Sequence, residues 1–221
     1  MKQNKVSRLI LLSYAVAALG LIAVALCYPH LPAEIPMHWG IDGTVRYDAR
    51  WTIWGIAALG PVFAVLMPLM PRLDPKKKNY DKFQGSYDLF CLLLQVFLLF
   101  ILGVILTESL RPGTVNVQIV VNLLVGVLFV FLGNMMPKFR FNYFCGLRTP
   151  WALANETVWV RTQRAGGRMM FVLGLLIILS AFLPGWAAMA VILGGVVLMV
   201  AGGYYLSWRY FQDEVRGKSE E

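Results

Sequence analysis

The fold is decided by one polar stretch, Gly133–Arg168, which reads GNMMPKFRFNYFCGLRTPWALANETVWVRTQRAGGR. It is rich in arginine, asparagine, tryptophan and glycine, and segments made almost entirely of apolar residues lie on both sides of it. Hydrophobic residues make up 58% of the chain and charged residues only 14%, whereas soluble domains carry about 25% charged residues. The sequence therefore predicts a membrane protein in which this stretch connects two spanning helices.

The apolar residues fall into six blocks that are long enough to cross about 30 Å of hydrocarbon at about 1.5 Å per residue. The fifth block is short, and only Pro184-Gly185 separates it from the sixth, so these two are expected to form a tight helical hairpin. The sequence thus predicts an all-α polytopic membrane protein, a bundle of six transmembrane helices. The blocks are about Leu9–Cys27, Thr52–Met70, Leu89–Leu110, Val117–Met135, Met169–Leu183 and Trp186–Trp208.

Basic residues are distributed unevenly over the connecting segments. Of the 20 lysines and arginines, all but Arg46, Arg50 and Arg111 fall in segments that share one side with the N-terminus. Because cytoplasmic loops carry an excess of Lys and Arg, we expect both termini in the cytoplasm and the bundle in the cell inner membrane. The charges are divided among several loops, so direct nucleic-acid binding is not expected despite the net charge of +8.

No metal site and no cofactor are predicted. The three cysteines lie in different segments and form no CxxC pair, so neither a disulfide framework nor a thiolate zinc site is indicated. His30, Glu34 and His38 are spaced four apart, which on a helix would place three possible ligands on one face. The prolines between them exclude that helix.

The connection between the first two helices, residues 28–51 (the first loop), is one of the two long segments that contain polar and charged residues. It reads YPHLPAEIPMHWGIDGTVRYDARW. Its prolines favour extended backbone, and Ile41-Asp42-Gly43 supplies a turn. We expect this loop outside the cell, with His38 and Trp39 packed at the membrane interface, where tryptophan is enriched.

Residues 136–168 (the basic segment) form the second polar connection. Thr149-Pro150 predicts the start of a helix, and Gly166-Gly167 predicts its end. The apolar residues between them recur at helical spacing. The pattern predicts a short amphipathic helix at the cytoplasmic membrane face, with tryptophans at the interface and arginines on anionic headgroups.

The residues upstream of that helix exceed what a membrane anchor needs. Asn134 and Asn142 are amides near a hydrocarbon boundary, and they must find hydrogen-bond partners. Gly146 marks a tight turn that aims Arg148 back toward the bundle. We expect the planar guanidinium of Arg148 to pair with Glu156 or with carbonyls at a helix end.

With these residues in place, the pattern GN…PK.R.N…G.RTPW.L.NE..W..T.R..G resembles the C-terminal signature of the SdpI family, bacterial membrane proteins of toxin immunity and signalling. The first loop, with its P-x-H-W…G pattern, resembles the domain of unknown function (DUF1648-like) that commonly precedes it. Gln163 stands where the family usually has histidine, and Gly40 stands where the preceding domain usually has asparagine or aspartate.

The resemblance implies six helices, no known catalytic chemistry, and protection of the producing cell from a membrane-active peptide toxin. In some members it also implies that a transcriptional repressor is held at the membrane. Expected partners are therefore membrane lipids, a secreted peptide toxin and a cytoplasmic repressor. The implied parts are an N-terminal part (1–85), a third helix with its connector (86–116), and an SdpI-like C-terminal part (117–221).

Ten positions are expected to bind a ligand or partner, and none is expected to be catalytic. They are His38, Trp39, Gly43, Asn134, Asn142, Arg148, Trp151, Glu156, Trp159 and Arg164. A small inverted-repeat transporter or channel is the alternative, because three plus three helices place the two halves in opposite orientations. An enzyme is not expected, because ionisable residues at mid-membrane depth are nearly absent.

Overall fold

Six long helices make up most of the computed structural model, which describes residues 7–219. All six are long and apolar enough to cross a membrane. The predicted multi-pass, mainly α-helical fold is therefore confirmed. The helices are α1 (Arg8–Cys27), α2 (Ile53–Leu73), the one-turn α3 (Lys77–Tyr80), α4 (Gln84–Leu110), α5 (Val117–Met135), the short α6 (Pro150–Ala154), α7 (Glu156–Ser180) and α8 (Gly185–Ser219).

A small antiparallel sheet is the exception to the all-helical expectation. Strands β1 (Glu34–Trp39) and β2 (Val45–Ala49) pair as a hairpin in the first loop. Extended backbone and a turn at Asp42-Gly43 were both predicted, and both are present. The pairing of the two strands was not predicted, because the prolines of the loop conceal the alternation that identifies a strand.

The packing divides the chain into two compact units. The first comprises residues up to Leu69 together with Tyr87–Leu124, and the second comprises Met70–Ser86 together with the residues from Val125 onward. The three-part division implied by the family resemblance stays a prediction.

In the first unit, the first loop is part of the hydrophobic core. Leu31 and Ile35 are buried in one cluster with Val24, Ile53 and Leu102, which come from the helices. The hairpin is thus fixed to the helices through β1 and the residues that precede it. Elsewhere in the unit, the side-chain amide of Gln95 donates from Nε2 to the Gly60 carbonyl at 3.0 Å, which joins α4 to α2.

In the second unit, α5 and α7 cross at glycines. A Cβ atom placed on Gly133 would lie 2.7 Å from the Gly167 carbonyl oxygen, and one on Gly167 would lie 2.6 Å from that of Gly133. Gly126 and Gly174, each seven residues from the first pair, approach in the same way. A Cβ on Gly126 would lie 2.8 Å from the Gly174 carbonyl oxygen, and one on Gly174 would lie 2.7 Å from that of Gly126. Small residues let helix backbones approach closely in membranes, so these glycines fix the distance between the two helices.

Helix α7 corrects two predictions, because it runs without interruption from Glu156 to Ser180. The fifth helix therefore begins well before the predicted Met169, and Gly166-Gly167 does not end a helix. The glycine pair is buried inside α7, where a Cβ on Gly166 would lie 2.3 Å from Leu147 Cδ1. The pair allows close packing. In a sequence, a Gly-Gly pair can indicate either a close packing contact or the end of a helix.

The short helix predicted from Thr149-Pro150 does begin there, but it ends at Ala154. The Thr149 hydroxyl accepts from the Ala152 amide at 3.1 Å, as expected of an N-cap. Asn155 then leaves the helical conformation (φ −145°, ψ 128°) and its side chain caps α7 instead. An asparagine cap, and no glycine, therefore sets the boundary between the two helices.

Candidate functional site

The first loop is held by Arg50, which is not among the ten positions that the sequence predicts as binding residues. Arg50 donates from Nη1 to the Leu31 carbonyl at 3.3 Å, and its guanidinium lies 5.1 Å from the centre of the Tyr28 ring. The Arg50 amide also donates to the Ala33 carbonyl at 2.9 Å. These contacts join both ends of the loop, so Arg50 fixes where the hairpin leaves the helices.

The tip of the hairpin is a tight polar turn. The Gly40 amide donates to the Thr44 carbonyl at 2.8 Å, and Gly43 adopts φ +83°, which favours glycine. Asp42 Oδ1 accepts from the Thr44 hydroxyl at 2.7 Å and from its amide at 3.0 Å. These two bonds hold the pKa of the Asp42 carboxyl below its ordinary value. A Cβ on Gly40 would collide with Asp42 and Thr44, which accounts for glycine at this position.

The three candidate residues of the first loop occupy different environments. His38 is exposed on β1, Gly43 is exposed at the turn, and Trp39 is half-buried against the hydrophobic core of the first unit. Within residues 7–219, no group of three or more His, Cys, Asp or Glu side chains is placed to hold a metal ion. The loop therefore exposes His38 and Gly43 to solvent, while the core of the first unit covers part of Trp39.

In the basic segment, a buried carboxylate organises the backbone. Asp74 is almost fully buried and accepts from the Lys76 amide at 2.7 Å, the Tyr80 hydroxyl at 3.0 Å and the Tyr143 amide at 2.8 Å. The bond to Tyr143 ties the end of α2 to the basic segment. Nothing in the sequence singled out Asp74, since one acid beside a run of lysines is typical of a solvated loop.

Asn142, a candidate from the sequence, lies fully buried beside Asp74. Its Oδ1 accepts from the amides of Phe144 and Cys145 at 2.9 Å and 2.6 Å, and its Nδ2 donates to the Arg140 carbonyl at 2.8 Å. Asn142 therefore satisfies the buried backbone of the segment, which is the partner requirement that the sequence predicted. Its side chain is not accessible to a partner.

Gln163 is another buried side chain that holds the backbone of the basic segment. Its Oε1 accepts from the Leu147 amide at 3.0 Å and its Nε2 donates to the Leu147 carbonyl at 2.8 Å. Gly146 precedes Leu147 with φ +93°, and a Cβ there would lie 2.4 Å from Gln163 Oε1. The predicted turn at Gly146 is therefore present, and it brings the segment against α7. The sequence marked Gln163 only as a departure from the family pattern.

Arg148 does not pair with Glu156 within residues 7–219, which corrects the first of its two expected contacts. Its Nη1 donates to the Tyr143 carbonyl at 2.8 Å, inside the segment itself. Tyr143 lies in irregular backbone, so the expected contact with carbonyls at a helix end is corrected as well. Both Arg148 and Glu156 are exposed, and Glu156 lies in the first turn of α7. A carboxylate at that end of a helix is stabilised by the helix dipole, so each residue has a local role.

Trp159 is fully buried, which corrects its predicted place at the membrane interface. Its Nε1 donates to the Phe139 carbonyl at 3.0 Å, and its ring meets Phe141 edge-on with 5.4 Å between centres. A buried tryptophan needs a partner for its N–H group, and a loop carbonyl supplies one here. Trp151 is half-exposed, with its ring edge-on to Tyr204 at 6.3 Å.

The remaining candidates, Asn134 and Arg164, are exposed on α5 and α7. Arg161, one turn before Arg164, is paired with Asp213 at 3.2 Å and stacks over Tyr210 at 4.3 Å. The accessible part of the basic segment therefore includes Arg148, Arg164 and Arg168, together with exposed Tyr143, Phe144 and Glu156. Its buried part holds the segment in shape.

Two stretches of the chain match known family models. Residues 138–207 match the model of the SdpI/YfhL protein family, and residues 15–60 match that of a domain of unknown function (DUF1648). Over residues 138–207 the chain is therefore similar to the SdpI/YfhL protein family. The family match covers the basic segment from Lys138 onward and most of α8, and the second match covers most of α1, the whole hairpin and the start of α2.

One relative is similar to the chain along nearly its whole length. It is the "Immunity protein SdpI" of Bacillus subtilis (strain 168), 25% identical over 203 residues, which make up 91% of this chain and 95% of that protein. No solved structure was found to match the chain.

Proposed function

We propose that this protein is a membrane immunity protein that protects its cell against a membrane-active peptide toxin. The observation that carries the proposal is the near full-length similarity to a protein named for immunity. A binding protein needs no catalytic group. Aromatic and polar loops on a rigid helical frame are sufficient for recognition of a peptide.

The orientation we propose places both termini in the cytoplasm and the bundle in the cell inner membrane. It is supported by the excess of lysine and arginine in the segments on the N-terminal side. The first loop then faces outward, and a secreted peptide meets it first. Exposed His38 and half-buried Trp39 would supply the contact surface there.

The test is protection of living cells. A strain of the source organism that lacks the gene should become sensitive to medium conditioned by a dense culture of its parent, and the chain expressed from a plasmid should restore survival. The measurement is the dilution of medium that halves colony counts. If the deletion strain survives undiluted medium as well as the parent does, the immunity proposal is wrong.

As a second part of the proposal, the basic segment holds a transcriptional repressor at the cytoplasmic face. It is supported by the exposed Arg164 and Arg168 on α7, which suit an acidic partner surface. In cells that express a fluorescent fusion of the regulator encoded nearest the gene, Arg164→Glu with Arg168→Glu should release it from the membrane while protection persists. Unchanged localisation would exclude this docking site.

A further inference from the structure

The backbone of β2 presents unpaired groups along its outer edge. At one end of the hairpin the Thr44 carbonyl accepts from the Gly40 amide, and at the other the Arg50 amide donates to the Ala33 carbonyl. Along an antiparallel strand, residues alternate between those bonded to the neighbouring strand and those facing away. The backbone N–H and C=O groups of residues 44, 46, 48 and 50 therefore point toward β1. Those of the three odd-numbered residues of β2 point away from it, toward the outer edge.

Those three residues are Val45, Tyr47 and Ala49, and no third strand joins the sheet within residues 7–219. All five residues of β2 are exposed. The Ala49 carbonyl accepts from the Thr52 hydroxyl at 2.8 Å. The other outward groups of β2 form a free edge, which is a template for another strand.

The opposite edge of the hairpin, on β1, is protected against pairing with another strand. Only the β2 edge is therefore open to a further strand. On β1, Pro36 pairs across from Tyr47, so its missing N–H group lies on the outer side of β1. A register irregularity follows between Pro36 and His38. Prolines and bulges are the devices by which proteins protect sheet edges, and β2 carries neither.

We propose that β2 is a dimerisation strand that pairs, antiparallel, with β2 of a second copy of this chain to form a four-stranded sheet. With Tyr47 on the two-fold axis, Val45 of each copy lies opposite Ala49 of the other. Outward-facing residues then meet only outward-facing residues, so every pair is in the correct phase for hydrogen bonding. A self-complementary strand of this kind is what a two-fold interface requires.

Charge supports the same pairing. In this register Arg46 of one copy lies opposite Asp48 of the second copy, and the pair occurs twice by symmetry. Within residues 7–219 neither Arg46 nor Asp48 makes an ion pair, so both side chains remain for a partner strand. Opposite charges directly across two strands stabilise the pairing, and like charges oppose it.

The first measurement is crosslinking at the two-fold axis, in the full-length chain with its three cysteines replaced. Tyr47→Cys should form a disulfide-linked dimer in membranes under mild oxidation, because paired strands place Cα atoms within about 6 Å. Ile41→Cys, which is 57% exposed at the turn and off the edge, is the control. Equal dimer from both variants would indicate random collision and overturn the proposal.

The second measurement is a charge exchange in the Tyr47→Cys background. Arg46→Asp should lower the dimer fraction about five-fold. The new aspartate of each copy would lie directly opposite Asp48 of the other copy, so both symmetric pairs would become repulsive. Adding Asp48→Arg should restore it, because the exchanged charges are again complementary. Failure of the double variant to recover, at equal membrane levels, would overturn the register. A crosslinked species of one chain plus a small peptide would assign the edge to a secreted ligand and overturn the dimer.

Discussion

Three buried polar side chains, Asp74, Asn142 and Gln163, hold the basic segment in shape. Each satisfies backbone groups of a loop that would otherwise be left without partners inside the protein. An unsatisfied buried donor or acceptor costs about 1–3 kcal/mol, which is a large part of the total stability of a typical domain. These residues are therefore the ones whose loss is expected to unfold the segment.

Gln163→Met tests this at one position. Methionine fills a similar volume but provides neither the acceptor nor the donor that Leu147 uses, at 3.0 Å and 2.8 Å. We expect a destabilisation of about 1–3 kcal/mol, because two partly buried backbone groups lose their partner. Thermal unfolding of the purified protein in detergent measures it.

The matched control is Arg164→Met, which changes the next residue of the same helix at an exposed position. Its melting temperature should stay close to that of the unchanged protein. Equal melting temperatures for the Gln163 and Arg164 variants would show that the contact with Leu147 contributes little.

How far the site could be predicted differs from residue to residue. Asn142 was identified because an amide near hydrocarbon must find partners, and the structure supplies them. Trp159 was misplaced, because tryptophan is common both at membrane interfaces and in cores, and only the packing separates the two. Asp74 depends on a backbone amide 69 residues away, which no local pattern reveals.

At the scale of elements, the glycines of α5 and α7 determine how the second unit packs. The backbones meet at Gly133 and Gly167, with no room for a Cβ on either side. Without a hydrophobic driving force between helices in lipid, such close packing is a main source of association. The length of the apolar blocks identified the spanning helices, but the sequence could not distinguish a glycine that ends a helix from one that packs against another helix.

Gly133→Ala is therefore expected to destabilise the protein by about 1–3 kcal/mol, the usual cost of overpacking a tight contact. The added methyl group would lie 2.5 Å from the Phe171 amide nitrogen, and backbone cannot move aside as a side chain end can. Unfolding by heat or by a denaturing detergent would report the change.

Gly194→Ala on α8 is the control for that substitution. No atom lies within 4 Å of a Cβ at Gly194, so alanine there should be neutral or stabilising, since it is a better helix former by about 1 kcal/mol. A Gly133 variant as stable as the Gly194 variant would contradict the tight crossing.

At the scale of the whole molecule, the distribution of charge supports the proposed orientation in the membrane, which packing alone leaves open. Six spans within residues 7–219 would place the two ends of the bundle on one side of the membrane, and the positive-inside rule favours the cytoplasm for that side. The natural reporter in the basic segment, Cys145, cannot test this. Its side chain is buried, and burial raises the pKa of the thiol to about 12. Because thiol reagents attack the thiolate, Cys145 should stay unlabelled on either side.

Two introduced cysteines test the orientation in a chain whose three cysteines are replaced. Ile41→Cys in the first loop should react with a membrane-impermeant maleimide in intact cells. Arg140→Cys, at an exposed position of the basic segment, should react only after the membrane is permeabilised. The expected difference follows from placing the basic segment in the cytoplasm, where cations are retained. Labelling of Arg140→Cys but not of Ile41→Cys in intact cells would invert the orientation, and with it the proposed contact of the first loop with a secreted peptide.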